Sequence, residues 1–185
     1  MLAVTGAGTT IVRELAKTER IARIDADLSV PGCDFDIPPA DRYVLAAGYL
    51  AGKPMLVQSA SELERTFYIN LVNTVRLIET ILDANPLARV VAIGSESAFA
   101  GSHDEGYAVA KGGLCAYALW RKVGPEQTLA VLCPPIISDS GMTQRRHDYP
   151  TCLETRRTVT AAQVAAEVQR ILDAPPGHNT VERMC

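Results

Sequence analysis

Three residues in the middle of the chain have the types and the spacing needed to move a proton. Tyr107 and Lys111 stand four residues apart in an alanine-rich segment of good helix formers, so both side chains project from one helical face. A nearby ammonium group stabilises a phenolate and lowers the pKa of tyrosine from its usual value of about 10. Tyr107 could then exchange a proton with an alcohol or carbonyl oxygen, to which Ser95 could donate a hydrogen bond. A Tyr–Lys pair alone, however, also occurs by chance on helix surfaces.

Alternating strands and helices surround these residues and must position them. Apolar runs predict strands over residues 1–4, 20–24, 33–37, 42–45, 90–93, 129–132 and 180–184. Apolar stripes predict helices over 11–17, 61–84 and 160–172, besides the helix that carries Tyr107. The second of these begins at a capping box formed by Ser61 and Glu64. This order predicts one α/β domain over residues 1–185, a Rossmann-type doubly wound and mostly parallel sheet, with shortened crossovers in its first half.

The composition restricts the classes of function. A chain of 185 residues that is 48% hydrophobic and 5% aromatic predicts a single aliphatic core. Its net charge of -3 and the absence of a basic run argue against nucleic acid as a partner. No apolar run approaches the roughly 18 residues of a membrane-spanning helix, and the first residues leave no room for a signal peptide, so we expect a cytoplasmic protein.

The cysteines and histidines predict neither disulfides nor a metal site. They are scattered, without a C-x-x-C or a paired-histidine spacing. We expect reduced thiols at Cys33, Cys115, Cys133, Cys152 and Cys185, and isolated imidazoles at His103, His147 and His178.

Tyr-x-x-x-Lys with a serine 12 residues upstream resembles the active-site signature of the short-chain dehydrogenase/reductase family. The resemblance spans nearly the whole chain and is sharpest from Asn70 to Gly113. It implies that Tyr107 exchanges the proton, that Lys111 lowers its pKa and binds ribose, and that Ser95 orients the carbonyl. Asn70 lies 25 residues before Ser95, near the family interval for the asparagine that kinks the long helix and supports a proton relay. The alternative for Asn70 is a polar residue on the helix surface.

The first strand, turn and helix resemble a unit that binds the pyrophosphate of a dinucleotide. The turn has fewer glycines than either common motif of such units. In the pattern G-x-G-x-x-G, Ile11 takes the position of the third glycine, and in the pattern T-G-x-x-G-x-x-G, Thr9 and Val12 take the positions of the second and third glycines. Cofactor binding is therefore either weakened or assisted by threonine hydroxyl groups, and the alternative is a turn without a ligand. The expected contacts in this turn are Gly6, Gly8, Thr9, Thr10 and Ile11.

The resemblance implies further cofactor contacts. Asp25 follows Gly6 by 19 residues, where a carboxylate accepts the ribose hydroxyls and repels a 2′-phosphate, so NAD is favoured while NADP is not excluded. Asp34 and Phe35 would lie beside the adenine. The remaining expected contacts are Ala46, Ala47 and Gly48 near the ribose, Pro134 and Ile137 beside the nicotinamide, and Tyr107 and Lys111 themselves.

The implied reaction is hydride transfer between a nicotinamide and a small secondary alcohol or ketone. Residues 138–150 fall where the family places a substrate-covering lid, and their basic cluster at 145–147 either attracts an anionic substrate or is a solvated face. The helix at 61–84 and the Tyr107 helix imply a homodimer or homotetramer. Two other classes stay open: a non-catalytic Rossmann-like binding or regulatory protein, and a sugar-nucleotide epimerase or dehydratase, which would need a larger substrate domain.

Overall fold

Six parallel strands form the central sheet of the computed structural model, which describes residues 1–146 and 148–184. The strands are β1 (Leu2–Thr5), β2 (Ile21–Arg23), β3 (Arg42–Leu45), β4 (Arg89–Ile93), β5 (Thr128–Cys133) and β8 (His178–Arg183). Their order is β2-β1-β3-β4-β5-β8, so the direction of winding reverses between β1 and β3. In doubly wound sheets, ligands bind outside the carboxyl ends of the strands at such a reversal.

Helices cover both faces of the sheet. On one face lie α1 (Thr10–Leu15) and α8 (Ala161–Asp173), and on the other lie α3 (Asn73–Ala84) and α5 (Glu105–Trp120). Successive strand residues alternate between the two faces, as Leu2 and Val4 pack towards α1 and α8 while Ala3 packs towards α3 and α5. Burial on both faces explains the continuous apolar runs of the central strands. The predicted Rossmann-type α/β fold is confirmed.

The long helix predicted over residues 61–84 begins earlier than expected. It consists of α2 (Ala60–Phe67), a π-helical turn (Tyr68–Val72) and α3. The capping box predicted at Ser61 and Glu64 is wrong, because Ser59 Oγ accepts a hydrogen bond from Glu62 N and Glu62 Oε2 accepts one from Ser59 N. Both pairs fit the Ser-x-x-Glu pattern. The earlier pair has an additional partner, since Lys53 Nζ lies 2.8 Å from Glu62 Oε1.

Glycines on α5 allow this long helix to approach it closely. A Cβ atom at Gly106 would lie 3.3 Å from Leu63 Cδ2, and one at Gly113 would lie 3.0 Å from Leu71 Cδ2. Leu63 and Leu71 therefore pack directly against the helix backbone that carries Tyr107.

The first half of the chain has the predicted shortened crossovers. Residues 24–41 connect β2 to β3 without a helix. The strand predicted over residues 33–37 is wrong, because only one antiparallel bridge forms, between Asp25 and Asp36. Prolines at 31, 38 and 39 flank this segment and cannot donate a backbone hydrogen bond to a neighbouring strand. Asn73 instead anchors the loop, since its Nδ2 donates to the carbonyl oxygens of Leu28 and Val30.

The lid is an excursion between two short paired strands, β6 (Ile136–Ile137) and β7 (Thr158–Val159). It contains α6 (Gly141–Gln144) and α7 (Cys152–Thr155). The segment between the two strands spans residues 138–157 and contains the predicted range of 138–150, and its role as a substrate cover stays a prediction. The remaining helix, α4 (Ser97–Ala100), follows β4.

Several sequence expectations concern single residues of the structure. Four cysteines are free thiols, and the predictions for Cys185 and His147 fall outside the described residues. Within residues 1–146 and 148–184, no three His, Cys, Asp or Glu side chains form a group that could hold a metal ion. No helix in those same ranges is long and apolar enough to cross a membrane.

Candidate active site

A cavity of about 680 Å³ lies at the carboxyl ends of the central strands, beneath the lid. Its volume is within the range of about 300–1,000 Å³ that is usual for small-molecule sites. The turn after β1, the loop after β3, the segment after β4 and the start of α5 all contribute to its walls. The cavity thus occupies the reversal point of the sheet, where the topology predicts a ligand.

Most of the residues predicted from the sequence line this one cavity. They are Gly8, Thr9, Thr10, Ile11, Ala46, Ala47, Gly48, Ser95, Tyr107, Lys111, Pro134 and Ile137. The structure does not bring Gly6, Asp25, Asp34, Phe35 or Asn70 to the cavity wall.

Tyr107 and Lys111 project from the first turns of α5 into a buried part of the cavity. Lys111 is 3% exposed, its Nζ donates a hydrogen bond of 2.7 Å to the carbonyl oxygen of Ile93, and the same atom lies 5.8 Å from the centroid of the Tyr107 ring. Burial lowers the pKa of Lys111 to about 8, although nearby thiol groups oppose this effect. The two side chains thus share one face of the helix, as their spacing predicted.

The pKa of Tyr107 differs from the expectation. Burial raises it to about 12, because the 9% exposed phenol loses the water that would stabilise its anion. A hydrogen bond with the Ser95 side chain and the positive charge of Arg146 favour the phenolate only in part. The prediction of a lowered pKa is therefore wrong for this structure, and the phenol is protonated near neutral pH.

Ser95 lines the cavity directly after Gly94, whose backbone packs closely against β5. A Cβ atom at Gly94 would lie 2.5 Å from Cys133 Sγ and 2.8 Å from Val131 Cγ1, so a larger residue does not fit. Ser95 Oγ accepts a hydrogen bond of 3.1 Å from Ser97 N, at the start of α4. This bond leaves the hydroxyl hydrogen available as a donor.

Asn70 lies inside the π-helical turn and is fully buried, which excludes a solvent-exposed position on the helix. Its Nδ2 donates to the carbonyl oxygens of Tyr49 and Thr66, and its Oδ1 accepts from Tyr49 N. The side chain thereby joins the loop after β3 to the long helix. A π-helical turn inside an α-helix is frequent at functional sites.

The glycine-poor turn after β1 still leaves the cavity open. Gly6 has φ +66°, and a Cβ atom there would lie 2.7 Å from Ala47 N, whereas a Cβ atom at Gly8 would meet nothing within 4 Å. Thr9 Oγ1 accepts a hydrogen bond from Val12 N and so caps α1. The Val12 side chain, in a predicted glycine position, is 2% exposed and packs in the core. It does not fill the cavity.

The predicted adenosine contacts lie outside the cavity. The Asp25 side chain is 78% exposed, with Oδ1 3.8 Å from Arg23 Nη2. Asp34 is exposed, and Phe35 packs beside α3 with the Arg76 guanidinium 5.2 Å from its ring centroid. A contact between these residues and an adenosine therefore stays a prediction.

Asp104 does not line the cavity but anchors the helix that carries Tyr107, and the sequence reasoning missed it. It is 1% exposed and caps α5, since its Oδ1 accepts from Tyr107 N and from Gln58 Nε2. Its Oδ2 accepts from Gly52 N, in the loop that follows β3. An aspartate directly before a helix-forming segment is an N-cap signal that could have identified it.

Three further residues of the cavity wall were not named individually from the sequence, although Met142 lies within the predicted lid at 138–150. Met142, Arg156 and Arg157 line the cavity, and a Cβ atom at Gly48 would lie 3.3 Å from Met142 Cε. The basic pair at 156–157 was visible in the sequence beyond the predicted end of the lid.

Comparison with known proteins gives no match to a family model and no relative among curated proteins. Solved structures, by contrast, are similar over almost the whole chain. A short-chain dehydrogenase/reductase from Brucella melitensis, described as a glucose/ribitol dehydrogenase, has a TM-score of 0.76 at 21% identity, covering 98% of this chain and 94% of its own. A short-chain dehydrogenase from Burkholderia cenocepacia, solved with NADP, has a TM-score of 0.77 at 18% identity, covering 99% and 95%.

A third similar structure is a variant of actinorhodin polyketide ketoreductase solved with NADPH. Its TM-score is 0.76 at 16% identity, and the match covers 100% of this chain and 95% of that one. Identities this low carry the backbone arrangement and not the activity. On the evidence of its sheet order, its cavity and these likenesses, the chain has the fold of the short-chain dehydrogenases/reductases.

Proposed function

We propose that the protein is a nicotinamide-dependent oxidoreductase that interconverts a small ketone and its secondary alcohol. The observation that carries this proposal is the convergence of Ser95, Tyr107 and Lys111 on one wall of a cavity at the reversal point of the sheet. The NADP and NADPH bound to two structurally similar proteins support a nicotinamide as the cofactor.

The cavity has features that fit such a cofactor. The space beside the backbone of Gly8 is empty, and the small side chains of Ala46 and Ala47 leave room for a ligand at the adjoining wall. We assign these residues to the cofactor, with Thr10 beside its phosphates and Lys111 beside a ribose. When bound there, a nicotinamide would supply or accept the hydride.

The protonated form of Tyr107 is the one that the reduction of a carbonyl requires. A phenol that is protonated near neutral pH can donate its proton to the carbonyl oxygen, and Ser95 can orient that oxygen by a hydrogen bond. The phenolate left after the transfer would be stabilised by the Lys111 ammonium group. This attraction increases only as the proton leaves, so it lowers the barrier without tightening the ground state.

The choice between NAD and NADP is tested by titration with NADH and with NADPH, followed by nicotinamide fluorescence. The position of Asp25 favours NAD, whereas the two nucleotide complexes described above contain NADP and NADPH, which carry the additional 2′-phosphate. Clear preference for NADPH would refute the role given to Asp25. Binding of neither nucleotide would favour the non-catalytic Rossmann-like protein.

The proposal is tested by the Tyr107→Phe variant in an assay of nicotinamide oxidation with a panel of ketones. Loss of the proton donor should lower turnover by about 10²–10⁴-fold and leave the circular dichroism spectrum unchanged. Tyr117→Phe is a matched control, because it makes the same change on the same helix but removes a hydrogen bond to Glu79 Oε1 outside the cavity. Near-normal turnover by Tyr107→Phe would refute the mechanism.

A further inference from the structure

Two segments of the lid, one after α6 and one after α7, bring arginine side chains to the cavity. Arg145 and Arg146 follow α6, whereas Arg156 and Arg157 follow α7, and all four line the cavity that contains Tyr107. The pairing of β6 with β7 holds the two ends of the lid together. Positive charge from two separate segments therefore converges on one space, in a chain whose net charge is -3.

The carboxylates that line the same cavity are already engaged by protein partners. Asp148 accepts hydrogen bonds from Arg146, Glu96 lies 3.4 Å from Arg157 Nη2, and Asp139 Oδ1 accepts from Ala161 N. Asp148 and Glu96 are therefore already paired with Arg146 and Arg157, whereas Asp139 keeps its negative charge at the start of α8.

Two of the four arginines are left without such a partner. Within the described ranges, Arg145 forms no ion pair and its Nε donates only to the carbonyl oxygen of Gly141. Arg156 also forms no ion pair with any described carboxylate. Four arginines of the lid face three carboxylates in the cavity lining, so this side of the cavity has an excess of positive charge. Such an excess attracts and concentrates anionic ligands.

Arg146 is held in place by an ion pair at the cavity wall. Its side chain is 19% exposed, and its Nε and Nη2 each donate a hydrogen bond of 2.8 Å to Asp148. Its charge acts on the hydroxyl group of Tyr107, so the guanidinium lies within electrostatic range of the oxygen that would exchange the proton. Asp148 fixes the orientation of this guanidinium through its Nε–Nη2 edge, so a second planar anion would bind at the Nη1 side.

We propose that the substrate is a small oxo acid, or the hydroxy acid formed from it, whose carboxylate binds to Arg146 with Arg145 and Arg156 around it. This inference rests on the proposed function, since it names the substrate class of the same site. The carboxylate would be held beside the carbonyl that faces Tyr107 and Ser95. A neutral ketone of the same shape would give Arg145 and Arg156 no counter-charge and would bind more weakly.

The test compares acids with their neutral esters in the full-length protein. Benzoylformate and methyl benzoylformate, and pyruvate and methyl pyruvate, each differ in one charge. Binding is measured by saturation-transfer nuclear magnetic resonance with NADPH or NADH present, and turnover by nicotinamide oxidation. We expect at least one acid to bind roughly tenfold or more tightly than its ester, and this preference to fall as salt is added.

Variants identify the groups responsible. Arg146→Gln and Arg156→Gln should each weaken the binding of the acid by about tenfold and leave ester binding and NADPH binding unchanged. Arg170→Gln is the control, because Arg170 pairs with Glu167 and Glu182 on α8 and β8, away from the cavity. Folding of every variant is checked by circular dichroism.

Three results would overturn the inference: no acid binds more tightly than its ester, neither acid binds, or the arginine variants weaken NADPH binding while acid binding persists. The last would assign the arginines to cofactor phosphates. The proposed function fails in a different way, because acids would then bind the arginines without any nicotinamide oxidation.

Discussion

Replacing Gly6 and Gly8 by alanine should change stability in opposite directions, although the two residues share one turn. Gly6 has φ +66°, and its added Cβ atom would lie 2.7 Å from Ala47 N and 2.8 Å from Ala46 C. These are backbone atoms at the end of β3, which cannot move without disturbing the sheet. Gly8 is not among the glycines with positive φ, and its Cβ atom would meet nothing within 4 Å.

The magnitudes follow from these contacts. A left-handed conformation costs an alanine about 1–2 kcal/mol, and forcing a methyl group into a filled site adds about 1–3 kcal/mol, so Gly6→Ala should lower the free energy of unfolding by about 2–5 kcal/mol. Gly8→Ala should raise it by about 0.4–1 kcal/mol, because alanine restricts the unfolded chain. For a chain of this length, the midpoint of thermal unfolding should fall by about 4–20 °C in Gly6→Ala and rise by about 1–4 °C in Gly8→Ala.

Guanidinium unfolding followed by circular dichroism measures both values, provided that the m-values of the variants match that of the wild type. The same samples are titrated with NADH and NADPH. Because Gly8 lines the cavity and is assigned to the cofactor, Gly8→Ala should bind the nucleotide more weakly despite its higher stability. Equal loss of stability in the two variants, or a loss below about 1 kcal/mol in Gly6→Ala, would refute the reasoning.

Three further measurements test other parts of the structure. Burial lowers the pKa of Lys111 to about 8 from its ordinary value of 10.5, so between these two pH values the unfolded chain binds more protons than the folded one. The free energy of unfolding should therefore rise with pH over this range by up to roughly 3 kcal/mol. This rise should vanish in Lys111→Met, and its persistence there would contradict the assigned burial. Asp104→Ala removes a cap, leaves Gly52 N without an acceptor and leaves Gln58 Nε2 with only the carbonyl oxygen of Lys53, which should cost about 2–4 kcal/mol in urea unfolding; a cost below 1 kcal/mol would contradict its anchoring role. Light scattering should give a dimer or tetramer, in keeping with the 87% exposed Trp120 on α5, and a clean monomer would count against the predicted pairing.

The sheet could be predicted from the sequence because its central strands are buried on both faces. Such strands must be apolar throughout, and the runs at 42–45, 90–93 and 129–132 contain little else. The segment at 33–37 also alternates apolar and polar residues, but a strand needs a partner as well as a pattern. The prolines on either side of this segment cannot donate backbone hydrogen bonds, and its pairing with the chain after β2 is limited to the single bridge between Asp25 and Asp36.

Local patterns also left the exact start of the long helix open. Ser59 and Ser61 both precede a glutamate by three residues, so sequence alone offers two equivalent capping boxes. The choice depends on Lys53, which is close to Glu62 only after the loop before α2 has folded. Tertiary contacts of this kind are not visible in a local window.

The predicted residues of the site came from spacing along single elements, and that spacing carried over to the structure for Ser95, Tyr107 and Lys111. The electrostatic consequence did not carry over. Proximity suggested that Lys111 would lower the pKa of Tyr107, but burial has the larger effect and raises it. Burial depends on the lid and the loop after β3, whose packing the sequence did not reveal.

The π-helical turn at residues 68–72 also restricts where the chain can accept insertions and deletions. A π-helical turn holds one residue more than an α-helical turn, so it rotates α2 relative to α3 by roughly 100°. That rotation lets Leu63 face Gly106 while Leu77 and Ile78 face the sheet. Deleting one residue here would restore a regular helix and yet remove one of these two contacts. Insertions and deletions should therefore be tolerated in the loops that flank this helix and excluded from its middle.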